Sequence, residues 1–246
     1  MINTRVLAAI LVLAGVQVTY AQTPPVPRGF VLVNGTYQMG EHAFTDGATK
    51  QVNAEESRFS VAYKVPAATV IDVAGGVRVW RQLGFGVGVS RFTASTSATL
   101  SGTVPHPFFF SQPRSVSGDV GDLTREVLAV HLQAVGIFPI GRRVQAMLFG
   151  GPSIVQVKQG LVTDFTFTET YPYDTAVFQQ ATAVTASASA VGFNAGGDLA
   201  FFFSKQVGVG VTGQFSNATV GVAGASATQS LEVGGLRVGG GLRVRF

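Results

Sequence analysis

The chain has 246 residues, 46% of them hydrophobic and only 12% charged, with a mean hydropathy of +0.35 and a net charge of +4. Soluble domains carry a charged share nearer a quarter, yet no uninterrupted apolar run of about 18 residues occurs, which excludes transmembrane helices. With no cysteine, a disulfide framework, a lipidated N-terminal Cys and a Cys-based metal or redox site are excluded; the mild, scattered basic excess gives no reason to expect nucleic acid as a partner.

Residues 1–21 have the form of a secretory signal peptide. Arg5 supplies the positive charge, Val6 to Val16 the apolar core, and Thr19, Tyr20 and Ala21 a cleavage site before Gln22. Residues 22–28, with Pro24, Pro25 and Pro27, form a short extended lead-in. From residue 29 the pattern alternates with period two, the spacing of strand side chains that point to opposite faces. The first strand, 29–39, sets Val31, Val33, Gly35 and Tyr37 against Leu32, Asn34, Thr36 and Gln38. Residues 40–68 are more polar and read as a loop, with 59–65 extending as part of a hairpin. The second strand, 69–80, sets Ile71, Val73, Val77 and Val79 against Asp72, Ala74, Gly76 and Arg78. After a short turn at Arg81 and Gln82, the third presents Leu83, Phe85, Val87 and Val89 on one face.

Residues 94–123, rich in Ser, Thr, Pro and Gly, read as a long loop. The fourth strand (125–138) carries His131 and Gln133 on its polar face, and a tight turn at 139–143 leads to the fifth (144–158), where Gly150, Gly151 and Pro152 predict a bulge or bend. Residues 159–182 read as a second long loop. The sixth strand (187–203) sets Val191, Phe193, Leu199 and Phe201 against Asn194, Gly196 and Asp198. Ser204 to Gln206 turn the chain into the seventh, where Val207, Val209, Val211 and Phe215 share a face. A loop around 220–228 precedes the eighth. There Leu236, Val238, Leu242, Val244 and Phe246 alternate with Arg237, Arg243 and Arg245.

Eight strands joined alternately by short turns and long connections predict an all-β fold: a closed, antiparallel, up-and-down transmembrane β-barrel over 29–246, with ten strands as the alternative. Only helices and closed barrels satisfy every backbone group in lipid, and this loop asymmetry is that of barrels with short periplasmic turns and longer outer loops. The rival is a soluble barrel with the apolar face inside. The ending Gly241-x-x-Val244-x-Phe246 resembles the C-terminal assembly signal of bacterial outer-membrane barrels, and the chain as a whole resembles the small eight-stranded outer-membrane proteins of the OmpA, OmpX and OmpW type. The resemblance implies a bacterial outer-membrane location with both termini periplasmic; the peptidoglycan-binding domain that follows the barrel in OmpA is not expected here. It also implies outer-membrane lipid and, through the last strand, the barrel-assembly machinery as partners.

With the apolar face in lipid, the inward polar set includes Asn34, Asp72, Arg78, His131, Gln133, Asn194, Asp198, Arg237, Arg243 and Arg245. Buried charges need partners. Asp72 is expected near Arg237 and Asp198 near Arg243, with Arg245 solvated at the periplasmic mouth. The leading reading is a structural or narrow, porin-like barrel with a polar, ion-paired interior. A second reading is surface recognition by an unidentified extracellular partner through Phe108, Phe109 and Phe110 and through Tyr171 and Tyr173, whose loop also carries Phe165 and Phe167. A third, a lipid-modifying hydrolase, needs a nucleophile beside a base. His131 has no serine two residues away on its own face, and His42, His106 and His131 are too scattered for a metal site. No enzymatic activity, cofactor or metal is expected.

Overall fold

A computed structural model describes residues 28–224 and 228–246; the expected signal peptide and nearly all of the lead-in lie outside the described residues. Ten antiparallel strands follow in order: β1 Gly29–Gln38, β2 His42–Val52, β3 Glu55–Val65, β4 Thr69–Trp80, β5 Leu83–Val104, β6 Arg114–Pro139, β7 Val144–Glu169, β8 Ala176–Phe202, β9 Val207–Ala223 and β10 Thr228–Arg245. Eight of them form the closed ring β1-β4-β5-β6-β7-β8-β9-β10, sealed where β1 pairs with β10 from Phe30↔Arg245 to Gln38↔Arg237. At that seam the Gly29 amide donates to the Phe246 carbonyl (2.8 Å) and the Phe246 amide to the Gly29 carbonyl (3.0 Å).

The two additional strands form a hairpin carried outside the ring. β3 replaces β4 as the partner of β5: β4 covers Leu83 to Phe92, and β3 covers Ser97 to Thr103. The two-residue turn at Asn53 and Ala54 has positive φ at both positions, 49° and 66°, the geometry whose twist matches paired strands. Residues 40–68 are therefore mostly strand, which corrects the loop expected there. The other two long loops are corrected likewise: β5 and β6 run on through 94–104 and 114–123, and β7 and β8 through 159–169 and 176–182, leaving tips at 105–113 and 170–175. The short turns stand where the sequence places them. The bulge expected at Gly150–Pro152 is absent, since β7 keeps one register with β8 from Val144↔Phe201 to Val162↔Ala183. Pro152 has no amide to donate, and the ladder with β6 is interrupted opposite it, between His131↔Ser153 and Ala134↔Gly150.

Along single strands the two faces exchange character. On β5, Phe85 and Val87 point outward and Gly88 and Ser90 inward; beyond Arg91 the outer face becomes Thr93, Ser95, Ser97 and Thr99, while Phe92, Ala94, Ala98 and Leu100 are buried. β9 repeats this, changing from outward Val209, Val211 and Phe215 over inward Thr212, Gln214 and Ser216 to buried Ala218, Val220 and Val222. The molecule is thus one barrel wall with an apolar exterior at the short-turn end and a polar exterior at the long-hairpin end. Arg91, Glu126 and Lys158 mark the change, with exposed ion pairs of 3.6 and 3.9 Å. Outward aromatic residues gather at the two limits of the apolar band: Trp80, Phe138, Phe203 and Phe246 at one, Tyr37, Phe193 and Phe215 at the other.

Candidate functional site

Inside the apolar band the barrel interior combines a buried apolar cluster of Phe30, Leu32, Val135, Ile137 and Met147 with paired polar side chains. Arg237 of β10 reaches across β1 to Asp72 of β4 (Nη1 to Oδ1, 3.2 Å), whose second oxygen accepts from Thr36 Oγ1 at 2.7 Å. Arg243 grips Asp198 through Nε (3.0 and 3.1 Å) and through Nη2. Gly210 makes room for this pair, because a Cβ there would lie 2.9 Å from Arg243 Nε. Arg245 sits at the short-turn mouth, donating from Nε to the Lys205 carbonyl at 2.9 Å and stacking 3.8 Å over the Phe202 ring. Arg78 lies half-buried near the same end, where its amide donates to the Arg28 carbonyl.

His131 lies between two hydroxyls. Ser90 Oγ is 3.0 Å from Nε2 and Ser153 Oγ is 2.7 Å from Nδ1. Asn194 donates to Ser153 (2.9 Å) and accepts from Gln133 (2.8 Å), which leaves Ser153 its own proton for Nδ1. Spacing along one strand did not reveal these serines; register brings them, since Ser153 pairs directly with His131 and Ser90 lies on the neighbouring strand. The two contacts tie β6 to β5 and to β7 through the imidazole. A hydrolytic triad needs one imidazole nitrogen on the nucleophile and the other on an acidic orienter; here both nitrogens face hydroxyls, and all three side chains are buried. Among the described residues no group of three His, Cys, Asp or Glu is placed to hold a metal.

Beyond the band the interior is largely apolar, with Asp46, Ser57, Thr96 and Gln159 among its buried polar residues. Val61, Tyr63, Leu100, Val157, Leu161, Val220 and Leu231 are buried in one cluster that closes the barrel a second time. Where β7 pairs irregularly with β8 between Val162 and Asp164, the Val162 amide donates instead to Tyr63 Oη at 2.8 Å. Burial pushes the Tyr63 hydroxyl up to about 12. Phe165 and Phe167, placed by the sequence with the exposed loop aromatics, belong to this interior: Phe165 is buried edge-on to Phe59 at 5.2 Å, and Phe167 packs behind it.

The outer tips are clamped together by Arg114. Its Nη1 donates to the Tyr173 carbonyl (2.9 Å) and its Nη2 to the Pro105 carbonyl (2.7 Å), and Nη2 also pairs with Glu169 at 2.6 Å. His106 accepts the amides of Phe108 and Phe109 at 3.1 and 3.2 Å, folding that tip, and Glu55 accepts the Ser111 amide at 2.9 Å, tying in the β2–β3 hairpin. Phe108 packs on Tyr173 with ring centres 5.4 Å apart, and Tyr173 on Tyr171 at 6.0 Å. The outer surfaces of these rings remain open: Phe108 is 69% exposed, Phe110 73% and Tyr171 82%. Arg114, the organiser, was not singled out from the sequence, where it reads as one more loop cation.

No family model matches the chain, and no curated protein matches it. Among solved structures it is similar to Neisserial surface protein A (10% identity over 89% of this chain and 97% of that one, TM-score 0.43). It is also similar to Ail, the attachment invasion locus protein of Yersinia pestis, in complex with the heparin analogue sucrose octasulfate (11% identity over 88% and 99%, TM-score 0.36).

Proposed function

We propose that this chain is an integral outer-membrane β-barrel that is sealed rather than conducting and serves as a surface-recognition protein, offering a rigid aromatic platform to an extracellular partner. The apolar band, about ten residues of each ring strand between two aromatic levels, suits a bilayer crossed by tilted strands. The short turns, together with Gly29 and Phe246 at the seam, then face the periplasm, and the clamped tips face outward. Paired charges and a second, apolar closure argue against porin-like flow through the interior. The observation that carries the recognition reading is the set of open rings at Phe108, Phe110 and Tyr171 on a frame held by a buried Arg114. Contiguous exposed aromatic surface beyond the bilayer marks an interaction site, and flat rings suit the apolar faces of a glycan or a protein partner. The test compares proteoliposomes bearing the wild type with those bearing Phe108→Ser/Phe110→Ser/Tyr171→Ser, for capture on glycan arrays and cultured-cell surfaces. Wild-type capture lost in the triple variant, with silence in planar-bilayer conductance, is expected. Equal capture by both, or stepwise currents, overturns the reading.

A further inference from the structure

The upper edge of the polar core holds a cationic cavity with no acid in its wall. It has a volume of about 30 Å³, and Arg125, Arg237, His42, Gln38 and Ser216 are among its lining; no Asp or Glu is. Arg125 is only 2% exposed and makes a single hydrogen bond, from Nη2 to the Glu232 carbonyl at 3.0 Å. Arg237 turns its Nη1 away to Asp72, and its buried Nε has no hydrogen-bond partner. Asp72 itself borders a different, smaller cavity of about 20 Å³, so its carboxylate stands on the far side of the Arg237 guanidinium. Ser216 Oγ accepts from Arg237 Nη2 at 3.3 Å and keeps its own proton to give.

A guanidinium is not deprotonated in a protein, and an uncompensated one inside a low-dielectric barrel is costly. Waters fill such a volume, since one needs about 10–15 Å³, but they leave the charge standing. We propose that the cavity between Arg125 and Arg237 binds a single monatomic anion of the halide class, chloride in ordinary saline. Two guanidinium groups with unused N–H donors and a serine hydroxyl converge on a small space that disfavours a cation by charge and suits a compact monatomic anion. The cavity reaches the wall at Phe193 and Asn217, the last pair of the β8–β9 ladder, which gives an ion a short way in.

The test uses the full barrel folded in nonionic detergent. Its thermal midpoint is followed from submillimolar to molar sodium chloride, with sodium gluconate at matched ionic strength as the control, for the wild type and Arg125→Gln. The expected result is a midpoint that rises with chloride and not with gluconate, along a saturable binding curve, and a variant that responds to neither. Equal responses to the two salts in the wild type overturn the proposal, as does a variant that keeps the chloride response. If Arg125→Gln does not fold, wild-type crystals grown in bromide decide: an anomalous peak beside Arg125 supports the site, and a cavity holding water alone overturns it.

Discussion

Asp72 and Arg237 meet at 3.2 Å although β4 and β10 share no ladder; the whole of β1 lies between them, and Thr36 of β1 completes the carboxylate's bonds at 2.7 Å. The pair therefore ties the two strands flanking β1 through the barrel interior. Removing one partner of a buried pair costs about 3–5 kcal/mol, because the other charge is left uncompensated, whereas removing both costs far less. Asp72→Ala should lower the stability of the folded barrel by that amount. Asp72→Ala/Arg237→Leu should recover most of the loss. The double-mutant cycle is read by chemical denaturation, followed through Trp80, the only tryptophan. A double variant as unstable as the sum of the singles would show that the two side chains are not coupled.

The exchange of faces along β9 makes a second prediction. Val211 is 60% exposed within the apolar band, and Thr219 stands outward beyond it on the same strand. A lysine on the lipid face near the midplane costs about 2–4 kcal/mol, while an exposed surface change is usually within about 0.5 kcal/mol. Val211→Lys should therefore impair folding into lipid vesicles strongly, and Thr219→Lys should leave it intact. Unfolding titrations of both variants in vesicles check this, and equal effects would mean that the band does not contact lipid.

These two sites also show what was legible in the sequence. Around Val211 the outward residues are large and apolar, so period two stands out and the strand is plain. Around Thr93 to Ser101 the alternation is equally regular, but the outer face is Ser and Thr and the inner face largely Ala. Small residues give little contrast between faces, and the composition resembles that of a loop. The pairs Asp72–Arg237 and Asp198–Arg243 follow from counting positions from the strand ends, because register in a barrel is continuous. Ser90 and Ser153 around His131, and Arg114 at the tips, depend on which strands adjoin and which tips meet, information that no single segment contains. Phe165 shares the inward parity of Val155, Val157 and Leu161 on β7, but the polar composition of 159–182 reads as a loop, so the sequence assigns it no strand face.

Tyr63 gives the barrel an alkaline limit. Burial pushes its hydroxyl up to about 12 from an ordinary value near 10, so the folded state holds the proton where the unfolded chain has released it. The stability this represents is fully present below about pH 10 and falls as pH rises toward 12, by about 1.4 kcal/mol per unit. The denaturation midpoint of the wild type should decline across that window with a component that Tyr63→Phe lacks. The same variant should lose about 1–3 kcal/mol at neutral pH, because the Val162 amide is left without its acceptor. Tyrosinate absorbance during an alkaline titration identifies the late-titrating hydroxyl.

Arg114 separates the frame of the outer tips from their surface. It is buried, paired with Glu169 at 2.6 Å, and donates to carbonyls on both sides of the contact between the β5–β6 and β7–β8 tips. Arg114→Met keeps much of the packed stem but removes every one of those bonds and leaves the Glu169 carboxylate uncompensated. The membrane-band ladders lie far along the strands, so unfolding of the barrel should change little. The tips should loosen, so that limited proteolysis cuts within 105–113 and 170–175 much faster than in the wild type, and partner capture falls toward that of Phe108→Ser/Phe110→Ser/Tyr171→Ser even though every aromatic ring is retained. Arg114→Met/Glu169→Met, which removes the stranded charge, should not restore capture, since hydrophobic contact does not hold the carbonyls in register. Unchanged proteolysis together with full capture in Arg114→Met would mean that the rings are positioned by their own stacking, and that the clamp plays no part in recognition.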